Sequence, residues 1–144
     1  MGYIEANLLD GERIVHKAHL HWLIFWKVPV VLALSVPLFS LDPRVGAVVF
    51  ALGLLFAIPP LVALTTSEFG VTTKRVIIKA GVMRRRTLEL LLRQVEAISV
   101  DQSLMGRILN YGSLTLSGTG GFREVFHNIA APLEFRRQIQ SQTI

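Results

Sequence analysis

Residues 45–64 read VGAVVFALGLLFAIPPLVAL, twenty residues without a charged side chain. At about 1.5 Å of rise per residue, a helix of that length spans a bilayer core of roughly 30 Å. Pro59-Pro60 near its end is expected to distort the exit. Upstream, residues 21–41 form a second apolar run of the same kind. Pro29 and Pro37 interrupt it, and membrane helices tolerate proline with a kink. Lys27 lies near one end of this run, where its ammonium can snorkel to the headgroups. Trp22 and Trp26, four residues apart, share one helix face where an aromatic belt belongs. Trp22, Trp26 and Lys27 are therefore expected at the membrane interface. Between the runs, Asp42-Pro43-Arg44 is a turn by residue type. A connection this short makes the two helices antiparallel neighbours, so residues 20–64 are expected to form a two-helix transmembrane hairpin.

Composition agrees. The chain of 144 residues is 51% hydrophobic and 17% charged, against about 25% charged in an ordinary soluble domain, and its mean hydropathy is +0.50. Between Leu20 and Leu64 the only Lys, Arg, Asp or Glu are Lys27, Asp42 and Arg44. The net charge of +5 comes from residues 65–144, which hold eleven Lys/Arg and six Asp/Glu. The polar first twenty residues, followed by a long apolar run, do not read as a cleavable signal peptide. Residues 1–19 are expected to be a separate cytoplasmic segment. Basic residues flank the pair of runs on both outer sides (Arg13, Lys17 and Lys27 before, Lys74, Arg75 and Lys79 after), with only Arg44 in the turn. By the positive-inside rule both termini are expected in the cytoplasm, the chain being multi-pass in a bacterial cytoplasmic (inner) membrane.

From Thr65 the hydrophobic period shortens to two. Strands are expected over 68–72, 75–79, 84–92, 97–102, 113–117 and 123–129, with a glycine-rich hairpin turn at Gly118-Thr119-Gly120-Gly121. Leu88, Leu90, Ile98, Val100, Leu114 and Leu116 are the expected inward positions. Pro132 opens a last helix, whose Phe135 and Ile139 are spaced for one apolar face. Short strands followed by one helix predict a small mainly-β domain over residues 65–144, a sandwich or partly open barrel capped by the helix.

Particular stretches carry a family resemblance. They are Thr72-Thr73-Lys74-Arg75-Val76-Ile77, the turn Gly81-Val82-Met83-Arg84-Arg85-Arg86, Leu92-Arg93-Gln94-Val95-Glu96-Ala97-Ile98, the stretch from Gln102 to Gly112, and Gly118 to Gly121. Together they resemble the membrane-anchored bacterial pleckstrin-homology (PH)-like domains. The resemblance implies a bent, nearly orthogonal β-sandwich closed by the C-terminal helix. It implies little about activity and leaves the ligand open. With no catalytic arrangement recognisable in the residues, the expected role is a non-catalytic interaction module at the cytoplasmic membrane face.

The residues themselves offer little chemistry. The absence of cysteine excludes disulfides, thiol catalysis and Cys-ligated metals. His19 and His21 have no i,i+3 or i,i+4 relation to each other, and no carboxylate or Cys cluster accompanies His16, His19, His21 and His127, so no metal site is expected. The glycine-rich turn precedes a strand, whereas a phosphate cradle needs a following helix. No catalytic residues and no cofactor are expected. The one functional signal is basic: Arg84 and Arg86 on one strand face and Arg75 and Lys79 on that of the neighbouring strand, expected to form a four-charge patch for anionic lipid headgroups if the faces coincide. Expected partners are membrane lipids and a protein partner or a second copy of the chain, with no role for nucleic acid.

Overall fold

In the strand Tyr111–Gly118 every second residue is buried, from Gly112 through Leu114 and Leu116 to Gly118. That alternation is what a sheet with one face on a core requires. The structure, a computed structural model, describes residues 2–81 and 84–143. Val82 and Met83 of the arginine-rich turn lie outside the described residues. Two compact units are present. One runs up to His21 and resumes at Thr66; the other is Trp22–Thr65.

The first unit holds seven strands: β1 (Ile14–Ala18), β2 (Glu68–Thr72), β3 (Arg75–Ala80), β4 (Arg86–Leu91), β5 (Val95–Asp101), β6 (Tyr111–Gly118) and β7 (Phe122–Ala130). They form two antiparallel sheets, ordered β1-β2-β3-β4 and β5-β6-β7. A bridge between Leu20 and Ile129 links the β1 side of the first sheet to the end of β7. Inward residues of both sheets meet in one core of Phe69, Val71, Val76, Ile78, Leu114, Leu116 and Ile129. The last helix, Pro132–Thr143, closes it with fully buried Phe135 and Ile139. Leu90 is buried as well, and Leu88, Ile98 and Val100 pack partly buried against the core. This is the mainly-β, helix-capped architecture that the sequence predicts.

Two expectations about this unit need correction. The domain does not begin at residue 65. Ile14–Ala18, counted as part of a separate N-terminal segment, is an edge strand of the first sheet, with Ala18 opposite Phe69 and Lys17 opposite Gly70. The preceding residues belong to the domain too. A single-turn helix, α1 (Tyr3–Ala6), lies on the outer face of the same sheet with Ile4 only 1% exposed. A side chain at Gly70 would stand 2.6 Å from the Ile4 Cδ1 atom, so glycine makes room for that contact. The Tyr3 and Ile4 N–H groups donate to the Glu68 carboxylate at 2.9 and 3.2 Å. The second correction is a short helix between β5 and β6, Leu104–Leu109, which no expected element covered.

In the second unit a 3₁₀ turn (Trp22–Phe25) leads into α2 (Lys27–Leu41), followed by α3 (Pro43–Phe56) and α4 (Ile58–Thr66). Asp42 alone separates α2 from α3. Its carboxylate accepts from the Arg44 N–H at 2.8 Å, and Pro43 takes the first helical position, where its missing N–H costs nothing. The connection is thus tighter than the three-residue turn expected. Pro59 and Pro60 fall in the first turn of α4, and the helical path is interrupted at Ala57 before them. Helices α2 and α3 touch through small residues: a side chain at Gly46 would meet the Phe39 backbone nitrogen at 2.6 Å, and one at Gly53 the Leu32 side chain at 2.8 Å. Trp22–Leu41 and Pro43–Thr66, of 20 and 24 residues, are long and apolar enough to cross a membrane.

Candidate functional site

Strand register separates the four basic residues expected to share a patch. In β3, Val76, Ile78 and Ala80 point into the core, so Arg75 and Lys79 point outward. In β4, Arg86 is opposite Ala80, on the inward side, with Leu88 and Leu90 following on the same side. Arg86 therefore lies on the opposite face of the sheet from Arg75 and Lys79, while Arg84 precedes β4 and lies outside the sheet.

Arg75 is not a surface cation at all: it is 8% exposed. Its Nε and Nη2 donate to the two Glu12 carboxylate oxygens at 3.0 and 3.1 Å, Nη1 donates to Glu89, and Nη2 also reaches the Asn7 carbonyl at 2.6 Å. Hydrogen bonding to Glu12 is the main reason its guanidinium is held even more firmly protonated than usual. Burial pushes the Glu12 carboxyl up. The bonds from Arg75, from the Leu9 N–H at 2.8 Å and from the Thr72 hydroxyl at 2.6 Å outweigh it and leave the carboxyl below its ordinary range. Arg75 therefore fastens the N-terminal segment to the sheet and is removed from the lipid-contact set. Lys79 has its ammonium over the Tyr3 ring at 5.1 Å from the centroid, a cation–π contact on the same outer face.

The remaining arginines border a cleft. Where the β4 edge of the first sheet faces the β7 edge of the second lies a cavity of about 700 Å³. Ile78, Leu88, Phe122 and Phe126 give it apolar walls, and Arg84, Arg85, Arg86 and Glu124 are its charged lining. Glu124 was absent from the sequence-based set. It faces the cleft because the alternation Phe122, Glu124, Phe126 puts all three on the inward side of β7, opposite Gly118, Leu116 and Leu114. That period of two is visible in the sequence. Arg86 and Glu124 are 3.9 Å apart with side chains 77% and 38% exposed, a loose pair. Gly81 shapes the turn: its φ is +118°, and a side chain there would strike the Arg84 carbonyl oxygen at 1.9 Å.

Lys79 pairs with Glu68, and Phe69 with Ala18, so the β3–β4 turn shares a sheet end with the points where the chain leaves the domain and returns. The Thr66 hydroxyl donates to the Gly81 carbonyl at 3.5 Å. Of the expected interface residues, Trp22 and Trp26 are 62% and 55% exposed, and the Lys27 ammonium lies 5.8 Å from the Trp26 ring centroid. The four histidines do not converge. His21 lies against Tyr111, His16 against Phe135, and His127 bonds to the Ser113 hydroxyl at 2.9 Å. Among the described residues no group of three or more His, Asp or Glu is placed to hold a metal. Thr119 to Gly121 form the β6–β7 turn, with Gly120 and Gly121 at φ of +83° and +77°, and Gly118 ends β6.

The sequence model of the bacterial PH domain family matches residues 28–143. The chain belongs to that family, whose members are in general non-catalytic interaction modules. Among solved structures, a DUF1696 family protein with a pleckstrin-homology domain from Shewanella loihica PV-4 is similar in fold. It has a TM-score of 0.51 and 9% identity, over 98% of this chain and 90% of that one. No curated protein matches the sequence.

Proposed function

We propose that the chain is a membrane-anchored PH-like module that holds a protein partner, or a second copy of itself, at the cytoplasmic face of a bacterial membrane. One observation carries the reading. The apolar segment Trp22–Thr65 is inserted between β1 and β2, two neighbouring strands of one sheet. Both of its ends therefore return to the same folded body, as an even number of membrane crossings requires. Its large side chains support the reading: Val36, Leu41 and Phe56 are 65%, 83% and 59% exposed, an arrangement costly in water and natural in lipid. The distribution of Arg13, Lys17, Lys27, Lys74 and Lys79 against Arg44 favours cytoplasmic termini. The test is a pair of fusions with a reporter active only outside the cytoplasm. Placed after Ile144 it stays silent, and placed at Pro43 it is active. The reverse pattern overturns the orientation, and extraction of the chain by alkaline carbonate overturns the anchoring.

The cleft favours a second reading, recognition of an anionic lipid headgroup. Arg84, Arg85 and Arg86 outnumber Glu124 there, and they flank the strand end from which the chain leaves the domain. Each cation near an anionic surface is worth roughly 1 kcal/mol. Binding of the domain to anionic vesicles, compared with the Arg84→Glu/Arg86→Glu variant, tests it. Equal binding by two folded proteins returns the arginines to solvated surface.

A further inference from the structure

The helix Leu104–Leu109, which we label α5, has a surface that no contact within the described residues explains. It is well formed for its length. The Ser103 hydroxyl accepts from the Gly106 N–H at 3.1 Å at its start, and Asn110 ends it in the left-handed conformation. Yet Leu104 is 78% exposed, Met105 56% and Ile108 75%. Spacings of three and four residues bring all three side chains to one side of the helix. The buried residue is Gly106, where an added side chain would meet the Tyr111 carbonyl oxygen at 2.6 Å. Single exposed apolar residues are ordinary, but three together on one turn mark a contact surface.

Position within the domain identifies what covers it. Tyr111, two residues beyond the helix, lies with its ring 5.1 Å from the His21 ring. The His21 N–H donates to the Asn128 carbonyl at 2.7 Å, and the Leu20–Ile129 bridge fixes the same corner. His21 is the last residue before the apolar segment that begins at Trp22. Helix α5 is thus fastened beside the point where the chain leaves the domain for that segment.

We propose that α5 is a lipid-inserting wedge that seats Leu104, Met105 and Ile108 among the headgroups and upper acyl chains of the bilayer. The proposal rests on the membrane-anchored reading above. Arg107, on the same short helix and exposed, suits this: a long cationic side chain keeps its head at phosphate level while its stem stays apolar. The apolar wedge near the departing chain, together with the arginine turn at the sheet end where the chain leaves and returns, gives the domain two unlike contacts with one surface. Its orientation on that surface is then fixed by more than its tether.

The chain has no cysteine, so single introduced thiols can carry an environment-sensitive nitrobenzoxadiazole probe in the full-length protein. Three sites are compared in phosphatidylcholine/phosphatidylglycerol vesicles: Ile108→Cys on α5, Leu52→Cys in α3, and Thr119→Cys in the β6–β7 turn, at the far end of β6 from Tyr111. A probe at 108 is expected to emit to the blue of one at 119 and to lose most of its emission when lipids carrying a nitroxide near the headgroup are included. If the probes at 108 and 119 behave alike while the one at 52 is quenched by lipid nitroxide, the wedge is wrong and the anchor stands. If the probe at 52 is not quenched by lipids carrying the nitroxide deep in an acyl chain, anchor and wedge fall together. A probe at 108 that is shielded from aqueous iodide but untouched by lipid nitroxide means that a protein covers the helix, and overturns the wedge.

Discussion

Arg75 grips Glu12, 63 residues before it in sequence, through two parallel hydrogen bonds of 3.0 and 3.1 Å. The Glu12 side chain is fully buried and that of Arg75 is 10% exposed. Breaking such a pair by removing one member strands a buried charge, which typically costs about 3–5 kcal/mol. Arg75→Ala should therefore lower the thermal midpoint of the full chain in detergent by many degrees. Glu5→Ala removes an exposed pair with Lys17 and should hardly move it. Equal effects from the two substitutions would mean that the buried pair contributes no more than the surface one.

Acid should act through the same carboxylate. The Glu12 pKa in the folded protein lies below its ordinary 4.5. Stability from this group is therefore fully present above about pH 4.5 and is lost as pH falls toward the depressed folded value. A melting series from pH 7 to pH 3 should show a decline that begins near pH 4.5 and is shallower in Glu12→Gln. The same slope in both proteins would assign the acid sensitivity to other carboxylates.

A fragment starting at residue 65 lacks β1 and Glu12, and so exposes the β2 edge and leaves Arg75 without a main partner. It should aggregate or melt at much lower temperature. Joining residues 1–21 to 66–144 through a Gly/Ser linker of roughly 6–10 residues, flexible enough to close a β1–β2 hairpin, should give a soluble protein with one cooperative transition. Should the fragment alone melt as high as the joined protein, the contribution assigned to β1 is wrong.

At the cleft, the 3.9 Å Arg86–Glu124 pair is too exposed to stabilise much. Glu124→Ala should leave melting nearly unchanged while removing the negative charge that opposes the three arginines. If the cleft binds anionic lipid, vesicle affinity of the joined protein rises about fivefold, the equivalent of roughly 1 kcal/mol for one charge near the surface. An unchanged affinity would speak for a protein partner at this cleft.

What could be read from the sequence was whatever repeats over short distances. Leu114 and Leu116 gave away their strand because alternation is a property of neighbours, and Phe135 with Ile139 did the same for the last helix. The apolar runs 21–41 and 45–64 were legible as helical because long runs with so few charges have few alternatives. Arg75 was misread because the acid that buries it lies on the far side of the apolar segment, and a basic residue with no local partner looks like surface. Ile14–Ala18 was missed for the same reason: its five residues IVHKA alternate poorly, and the strand they complete begins at Glu68. Helix α5 is only six residues long and carries its apolar side chains outward, so neither length nor periodicity announces it.

The insertion between β1 and β2 has a consequence for biogenesis. Ala18 leaves the ribosome long before Phe69, the residue it will face. At about 5–20 residues per second the interval is on the order of several seconds. Throughout it the first strand has no partner, and the acid at position 12 has no arginine. The sheet can assemble only on chains whose intervening segment has turned round and come back. A chain that crossed a bilayer once would keep Ala18 and Phe69 on opposite sides, with a ragged sheet and a bare carboxylate. On the membrane-anchored reading proposed above, completion of the domain would therefore proofread the topology of the segment it encloses.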